Sequence, residues 1–431
     1  GVYVGSRNAS FDFYNNGTSY LNGAVTVDDT LTATNLTVSS GRISMTDSAG
    51  NVSVGHEALN VVAANSGDSN TAMGYQALEK VTNGIHNTGV GYRTGMEITT
   101  GARNVLYGNF AGDAITTASN NTFIGYGAGT GNTSGYDNVA VGRNAFDAAA
   151  TGHSNVAIGE SSLTSNTSGY RNTAVGQNCM ANCTEGLENT AVGQNSLNDL
   201  TTGDYNTVMG QNAAAAITTA TNNVAIGVNA LDANTNGNYL VAIGNNTYTA
   251  FSNNDWGVAI GHGAMKSATN AGNCTAVGPQ ALEDCTSGHN NTAVGMNASR
   301  NVTDGQYNTS IGVDALEDTT TGQYNSGIGS NAGANITTGD NNTCIGFSAG
   351  KAGSPGGTLT SGDNRIVLGN GNIATLSCEV SISGQSDERD KTDFTNLDIG
   401  LDFVKQMKPY TYKWDKRHKY VDWDKNPDTD L

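Results

Sequence analysis

The chain has 431 residues, of which 57 are glycine and 4 are proline, and its formal net charge is −18. Glycine without a three-residue period excludes a collagen helix, and no apolar run is long enough to cross a bilayer as a helix, so we expect no membrane insertion. The acidity argues against nucleic acid or an anionic membrane as the main partner. With 13% charged residues, the composition favours a repetitive β architecture over packed enzyme domains.

The first 50 residues contain short alternating apolar and polar stretches at 24–27, 31–33, 36–38 and 43–45. Turn residues such as Asn15, Asn16 and Gly17 separate them. Each stretch is too short to form a stable sheet by itself. Pairing of these stretches between three chains would form a β-rich shaft, which is the prediction for residues 1–50.

Residues 51–370 are organised by a repeat of 17 residues, and each copy is marked by a glycine that we number position 0. The marker glycines are Gly74, Gly91, Gly108, Gly125, Gly142, Gly159, Gly176, Gly193, Gly210, Gly227, Gly244, Gly261, Gly278, Gly295, Gly312, Gly329 and Gly346. Of these 17 copies, all have an apolar or aromatic residue at −1, 16 have Thr or Val at −3, and 14 have Asn at −4. Degenerate copies end at Gly55 and Gly369.

The columns of this repeat predict a parallel β-solenoid. Bulky and β-branched residues two positions apart are typical of a strand, and glycine supplies the corners. Stacking at the strand spacing gives the 17 turns a length of roughly 80 Å. The Asn residues at −4 are expected to form a hydrogen-bonded ladder. A second ladder is predicted through Asn178, Asn195, Asn212, Asn229 and Asn246, and the small residues at −2 are interpreted as a packing seam between chains.

This repeat resembles two families of trimeric surface proteins. Its Asn-Thr/Val-Ala-Val/Ile-Gly unit is similar to the head of trimeric autotransporter adhesins, a left-handed parallel β-roll packed as a trimer. It is more similar to the 17-residue arrays of phage tail fibres and related surface proteins, because the autotransporter repeat is usually shorter. The resemblance covers residues 51–370 and implies a homotrimeric rod.

Two further groups of side chains are candidate sites within the repeat region. The cysteines, which lack a zinc-binding pattern, are interpreted as small apolar fillers, so no metal and no cofactor is predicted. One irregular turn carries Tyr248, Phe251 and Trp256 among amide side chains. Exposed aromatic rings beside amides suit stacking on sugar rings, which makes these three residues candidates for receptor binding. The alternative is that they plug the core or a trimer interface.

The last 46 residues differ from the rod, because 386–431 hold 20 charged side chains against 38 in 1–385. Leu397, Leu401 and Val404 have helical spacing, Pro409 ends this helix, and 410–414 is predicted as a strand. We take 371–385 as a connector and 386–431 as the start of a small α+β module.

The Ser-Asp-x-Arg-x-Lys sequence that opens this module resembles the endosialidase-type intramolecular chaperone, a C-terminal module of phage tail spikes and fibres. That family drives trimerisation and then cuts itself off. The resemblance implies that Ser386 is the nucleophile, that Lys391 is its general base, and that the broken bond is Gln385–Ser386. A neutral lysine would be needed, which burial in an assembled trimer favours.

The predicted fold is therefore all-β: a trimeric parallel β-solenoid, or β-roll, with an N-terminal β shaft and a small α+β C-terminal module. The predicted function is that of an extracellular viral tail fibre, which contacts other virion tail proteins and attaches to a host cell-surface glycan or protein. The main alternative is a cellular surface or secreted adhesin with the same rod. A polysaccharide depolymerase is a further candidate. An ice-binding solenoid ranks lower, because the −3 column accepts Val and is expected to be buried.

Overall fold

The computed structural model describes residues 49–60, 67–250, 255–375 and 377. The chain divides into two units, Gly1–Ile373 and Ala374–Leu431, and the described residues lie almost wholly in the first. The predicted shaft, apart from its last two residues, and the predicted module at 386–431 lie outside the described residues.

The described part of the first unit is a parallel β-solenoid with one short strand per turn. The strands are β1 Val52–Val54, β2 Thr71–Met73, β3 Thr88–Val90, β4 Val105–Tyr107, β5 Thr122–Ile124, β6 Val139–Val141, β7 Val156–Ile158, β8 Thr173–Val175, β9 Thr190–Val192, β10 Thr207–Met209, β11 Val224–Ile226, β12 Leu240–Ile243, β13 Gly257–Ile260, β14 Thr275–Val277, β15 Thr292–Val294, β16 Thr309–Ile311, β17 Ser326–Ile328, β18 Thr343–Ile345 and β19 Ile366–Leu368. Each strand pairs in parallel with the next one along the chain. No α-helix occurs in the ranges that the structure describes, so the predicted all-β solenoid is confirmed there.

The marker glycine is required by the close approach of successive turns. Gly176 has a φ of +143°, and a Cβ built on it would lie 2.3 Å from the carbonyl oxygen of Gly193 in the next turn. Only glycine avoids this backbone clash and tolerates this backbone conformation. The strict 17-residue spacing of the marker therefore reflects backbone contact between turns.

The predicted ladder at position −4 is present and lies inside the solenoid. Asn206 is fully buried, and its Nδ2 donates to the Asn189 Oδ1 at 3.0 Å and to the Ala220 carbonyl at 2.9 Å. Its own Oδ1 accepts the backbone N–H of Asn223 at 3.1 Å. Each such asparagine thus satisfies backbone groups of neighbouring turns that would otherwise be buried without a partner.

The second predicted ladder, at position +2, is also present, but it is only partly buried. Side-chain amides donate to the next turn along the series Asn178, Asn195, Asn212, Asn229 and Asn246, at 3.2 to 3.3 Å. This ladder runs along a corner of the solenoid, where water competes for the same groups. We therefore expect it to contribute less stability per rung than the buried ladder.

The small residues at position −2 lie in the solenoid core, so their interpretation as a seam between chains is wrong. In β2 to β19 the −2 side chain is buried, while its neighbours at −3 and −1 are half-buried or exposed. Ala174 and Ala191 are fully covered by their own chain. The interior of a 17-residue turn is narrow, and it admits small side chains that point inward from the strand.

Large residues at −2 are accommodated by exchange of volume with position +4, which also faces the core. Phe123 occupies −2 in β5, and a Cβ on Gly129 would lie 2.3 Å from its ring. Leu106 in β4 packs over Gly112 in the same way, and a Cβ built on Gly112 would lie 3.0 Å from the nearest Leu106 carbon. Conversely, a Cβ on Gly89 would lie 2.8 Å from Leu78. The core keeps its total volume by alternating which of the two columns carries the large side chain.

Candidate functional site

The outward side of the long sheet is an apolar strip without a single charged residue. We define the outward face as positions −3 and −1 of β1 to β19, and none of these side chains is charged. Ile158 is 39% exposed and Met209 is 53% exposed at position −1. A continuous strip of this length is far larger than the exposed apolar patches of ordinary monomers. Its chemistry suits contact with another flat apolar surface.

The threonines at −3 belong to the same outward face. They were expected to be buried, and this is wrong, because every −3 side chain is half-buried or exposed. Val replaces Thr at six of the 17 copies, for example at Val139 and Val156, so the column is not a regular hydroxyl array. Mixed Thr and Val beside an apolar column indicate a packing surface rather than a hydrated one.

The three predicted receptor-binding residues have different environments. Trp256 is 62% exposed, and Phe251 lies outside the described residues. Tyr248 is fully buried, which agrees with the alternative that it plugs the core and argues against a role in receptor binding. It occupies the inward position +4, and a Cβ on Gly257 would lie 2.2 Å from its hydroxyl oxygen. Burial raises the pKa of Tyr248 well above its usual value.

Trp256 has an aromatic partner that the sequence reasoning missed. Its ring stacks on Tyr239, with centroids 4.4 Å apart and planes within 11°. Tyr239 is 47% exposed, so the two rings form one aromatic ledge on the surface of the solenoid. The residues are 17 apart, so the repeat period itself was the signal that placed them together. Exposed stacked aromatics of this kind offer apolar area with little loss of side-chain entropy.

Amide and carboxylate side chains fix the turns beside this ledge. Asp255 Oδ1 accepts the backbone N–H of Asn238 at 2.7 Å and its side-chain Nδ2 at 3.1 Å. Asn238 Oδ1 in turn accepts the backbone N–H of Thr221 at 2.7 Å. These bonds run between successive turns next to the aromatic rings, so the ledge is held on an ordered surface.

The five cysteines of the described turns are buried free thiols, which agrees with their interpretation as fillers. Burial raises the pKa of Cys179 and of Cys183 to about 12. Cys274 occupies a position of the buried Asn ladder, and its thiol donates to the Gly288 carbonyl at 3.2 Å as an asparagine amide does elsewhere. No group of three or more His, Cys, Asp or Glu residues in the described ranges is arranged to hold a metal ion.

Gln385, Ser386 and Lys391 lie outside the described residues, so their assignment as scissile bond, nucleophile and base stays a prediction. Across the part of the chain that is described, no helix has the length and apolar character needed to cross a membrane. No curated protein matches the chain. The family model for the chaperone of endosialidase matches residues 386–428. Residues 386–428 are thus similar to the chaperone of endosialidase, and in the sequence they follow the parallel β-solenoid.

Proposed function

We propose that the chain is a trimeric fibre protein of a viral tail, that its solenoid forms the rod, and that its C-terminal domain assembles the trimer. The observation that carries this proposal is the match of 386–428 to the endosialidase chaperone, in a chain whose rod has an uncharged apolar outward face. Chaperones of this family act on fibres that need help to align three identical chains. The same combination supports an extracellular location on the virion.

The outward face is the surface through which three rods pack. Turns in register place identical residues at equal heights, so a symmetric arrangement brings equivalent positions of each chain together. Val175 and Val192 at −1, with Thr173 and Thr190 at −3, supply side chains that desolvate well and leave no charge unpaired. Packing of this face removes the exposed strip from water along the whole rod.

Receptor attachment is the expected role of exposed groups away from the outward face. The ledge of Tyr239 and Trp256 offers aromatic area beside the polar side chains of Asn238 and Asp255. Aromatic rings flanked by amides and carboxylates are suited to sugar rings, which have apolar C–H faces and hydroxyl edges. The proposed receptor is therefore a host cell-surface glycan.

Self-release of the chaperone is the chemical step of the proposal. The Ser386 hydroxyl attacks the carbonyl carbon of Gln385, and the neutral Lys391 amine takes the hydroxyl proton and passes it to the departing Ser386 nitrogen. Water then hydrolyses the resulting ester. The products are a rod that ends at Gln385 and a fragment that begins at Ser386.

The cleavage proposal is tested with three variants and N-terminal sequencing of any released fragment. Ser386→Ala and Lys391→Ala are expected to trimerise uncut, because the packing surface remains while the nucleophile or the base is lost. Lys391→Arg is also expected to stay uncut, since a guanidinium does not deprotonate at usable pH. Cleavage in Ser386→Ala, or a fragment with another N-terminus, contradicts the assigned pair.

A further inference from the structure

A notch opens on the solenoid surface where the +2 column contains a glycine in place of a side chain. Gly127 forms its buried floor, and the cavity has a volume of about 320 Å³. The lining residues are Phe110, Tyr126, Gly127, Thr130, Asn144 and Asp147. Phe110 and Asn144 occupy the same +2 column in the turns before and after Gly127, so they form the two ends of the notch.

The notch exists because a +2 side chain is missing. In the turns from Asn178 to Asn246 every +2 position carries an amide, and the first four of these amides donate to the next turn. At Gly127 no side chain fills this space, and the Asn144 Oδ1 lies 2.6 Å from where a Cβ would stand. The Asn144 amide oxygen is thus directed into an open space that a side chain occupies at most other +2 positions.

The walls combine aromatic and polar chemistry. The Phe110 and Tyr126 rings meet edge to face, with centroids 5.8 Å apart, and give the notch an apolar corner. The Asp147 carboxylate stands on another side, where burial raises its pKa and a hydrogen bond from Thr130 opposes that shift. In the described turns Asp147 takes part in no ion pair. The carboxylate therefore has acceptor capacity for a ligand.

We propose that this notch binds one pyranose ring of a surface glycan, carried by a neutral or an amino sugar. The inference rests on the proposed attachment to a glycan receptor. The apolar face of the ring packs against Phe110 and Tyr126, while ring hydroxyls or an amino group donate to Asp147 and Asn144. The volume admits a single sugar ring. Acidic sugars are excluded, because their carboxylate would face Asp147 on a chain of net charge −18.

A single substitution fills the notch with a side chain that the local backbone conformation accepts. Gly127 has a φ of +66°, and Asn144 holds the same column position with a φ of +54°. Gly127→Asn therefore fits the backbone and places a side chain in the notch, and only the flexible amide of Asn144 must move. Gly263→Asn is the matched control, since Gly263 is also a +2 glycine, with a φ of +67°, and lies eight turns away.

The test is binding of the uncut trimer to an array of neutral hexoses, N-acetylhexosamines, hexosamines and uronic acids. Melting temperatures and masses of all variants are measured beside it. We expect wild type and Gly263→Asn to bind the same neutral or amino sugar, Gly127→Asn to bind at least tenfold more weakly, and no uronic acid to bind. Asp147→Asn is expected to weaken binding of this sugar while the protein keeps the mass of a trimer.

Two results overturn the notch as a sugar site. One is a wild-type trimer that binds no pyranose on the array, and the other is a Gly127→Asn trimer that binds as wild type does. In the second case the glycan is bound elsewhere, and the proposed attachment function stands without the notch. A wild-type chain that is monomeric instead contradicts the proposed fibre, so the two failures are separable.

Discussion

The inward and outward side chains of one strand differ in size and in burial, and the larger side chain is the less buried one. Ala191 is small, points inward and is fully buried, while Val192 beside it is larger, points outward and is only partly covered. In most soluble domains the larger apolar residue would mark the core. Here most inward strand residues at −2 are small, because large side chains such as Phe146 and Leu197 enter the core from position +4. The larger residues of the strand itself point outward. One column of the strand thus forms the core of the single chain, and the adjacent column forms the surface that we propose packs between chains.

The largest effect is expected from overfilling the inward column. Ala191→Trp puts a large ring where the core of a single turn has no free volume, so we expect the chain not to reach the folded state. Circular dichroism and resistance to protease provide the measurement. Val192→Trp, one residue away, is the matched control and should fold with a normal β spectrum. Equal folding of the two variants would show that the inward column is not tightly packed.

Exchange of volume between positions −2 and +4 gives the next effect. Phe123→Ala should lower the free energy of unfolding by about 3–5 kcal/mol, because it leaves a cavity in the core. Gly129→Leu alone should be destabilising as well, since its side chain would overlap the Phe123 ring. The double variant restores the arrangement that Ala157 and Leu163 have two turns further along the chain, so most of the loss should be recovered.

A double-mutant cycle from denaturant unfolding measures this recovery. We expect the two substitutions together to cost markedly less than the sum of their separate effects. Strict additivity would contradict the exchange of volume between the two columns.

The two asparagine ladders allow a smaller comparison of inside and outside. Asn206→Ala should cost about 1–3 kcal/mol, because it leaves buried backbone groups of neighbouring turns without partners. Asn195→Ala, in the partly buried +2 ladder, should cost less than about 1 kcal/mol, since water replaces the lost bonds. Urea unfolding of both variants gives the measurement. A larger loss at Asn195 than at Asn206 would reverse our ranking of the ladders.

Much of the fold was predictable because the repeat constrains every turn in the same way. The period, the strand positions and both ladders follow from residues that recur at the same position of successive turns. A single turn would not reveal them, whereas the series from Asn178 to Asn246 does. It was harder to predict which columns have side chains that face the core and which have side chains that face outward. An alternating strand has two faces, and the sequence alone does not state which one encloses the core, so Ala174 was assigned to the wrong face.

The candidate sites were less predictable, since they depend on residues far apart in sequence. Tyr239 joins Trp256 only through the stacking of turns. Tyr248 had two open interpretations, exposed or core-filling, because its turn lacks the usual Asn and Gly markers. The notch at Gly127 is created by an absent side chain, and one glycine is not a distinguishing signal in a sequence that contains 57. For Ser386 and Lys391 the prediction rests on family resemblance, and the match to the chaperone supports the domain without testing the pair.

The central claim is that the outward face joins the chains, and the mass of the rod without its chaperone tests it most directly. A protease site placed after Gly384 lets the C-terminal domain be removed before light scattering, so that only the rod can hold the chains together. The variant combines Val175→Lys with Val192→Lys, and its control combines Gln177→Lys with Gln194→Lys on an exposed corner. We predict that wild-type and control rods have three times the single-chain mass, while the Val variant has the mass of one folded chain. A trimeric Val variant, or a monomeric wild-type rod, would contradict the account.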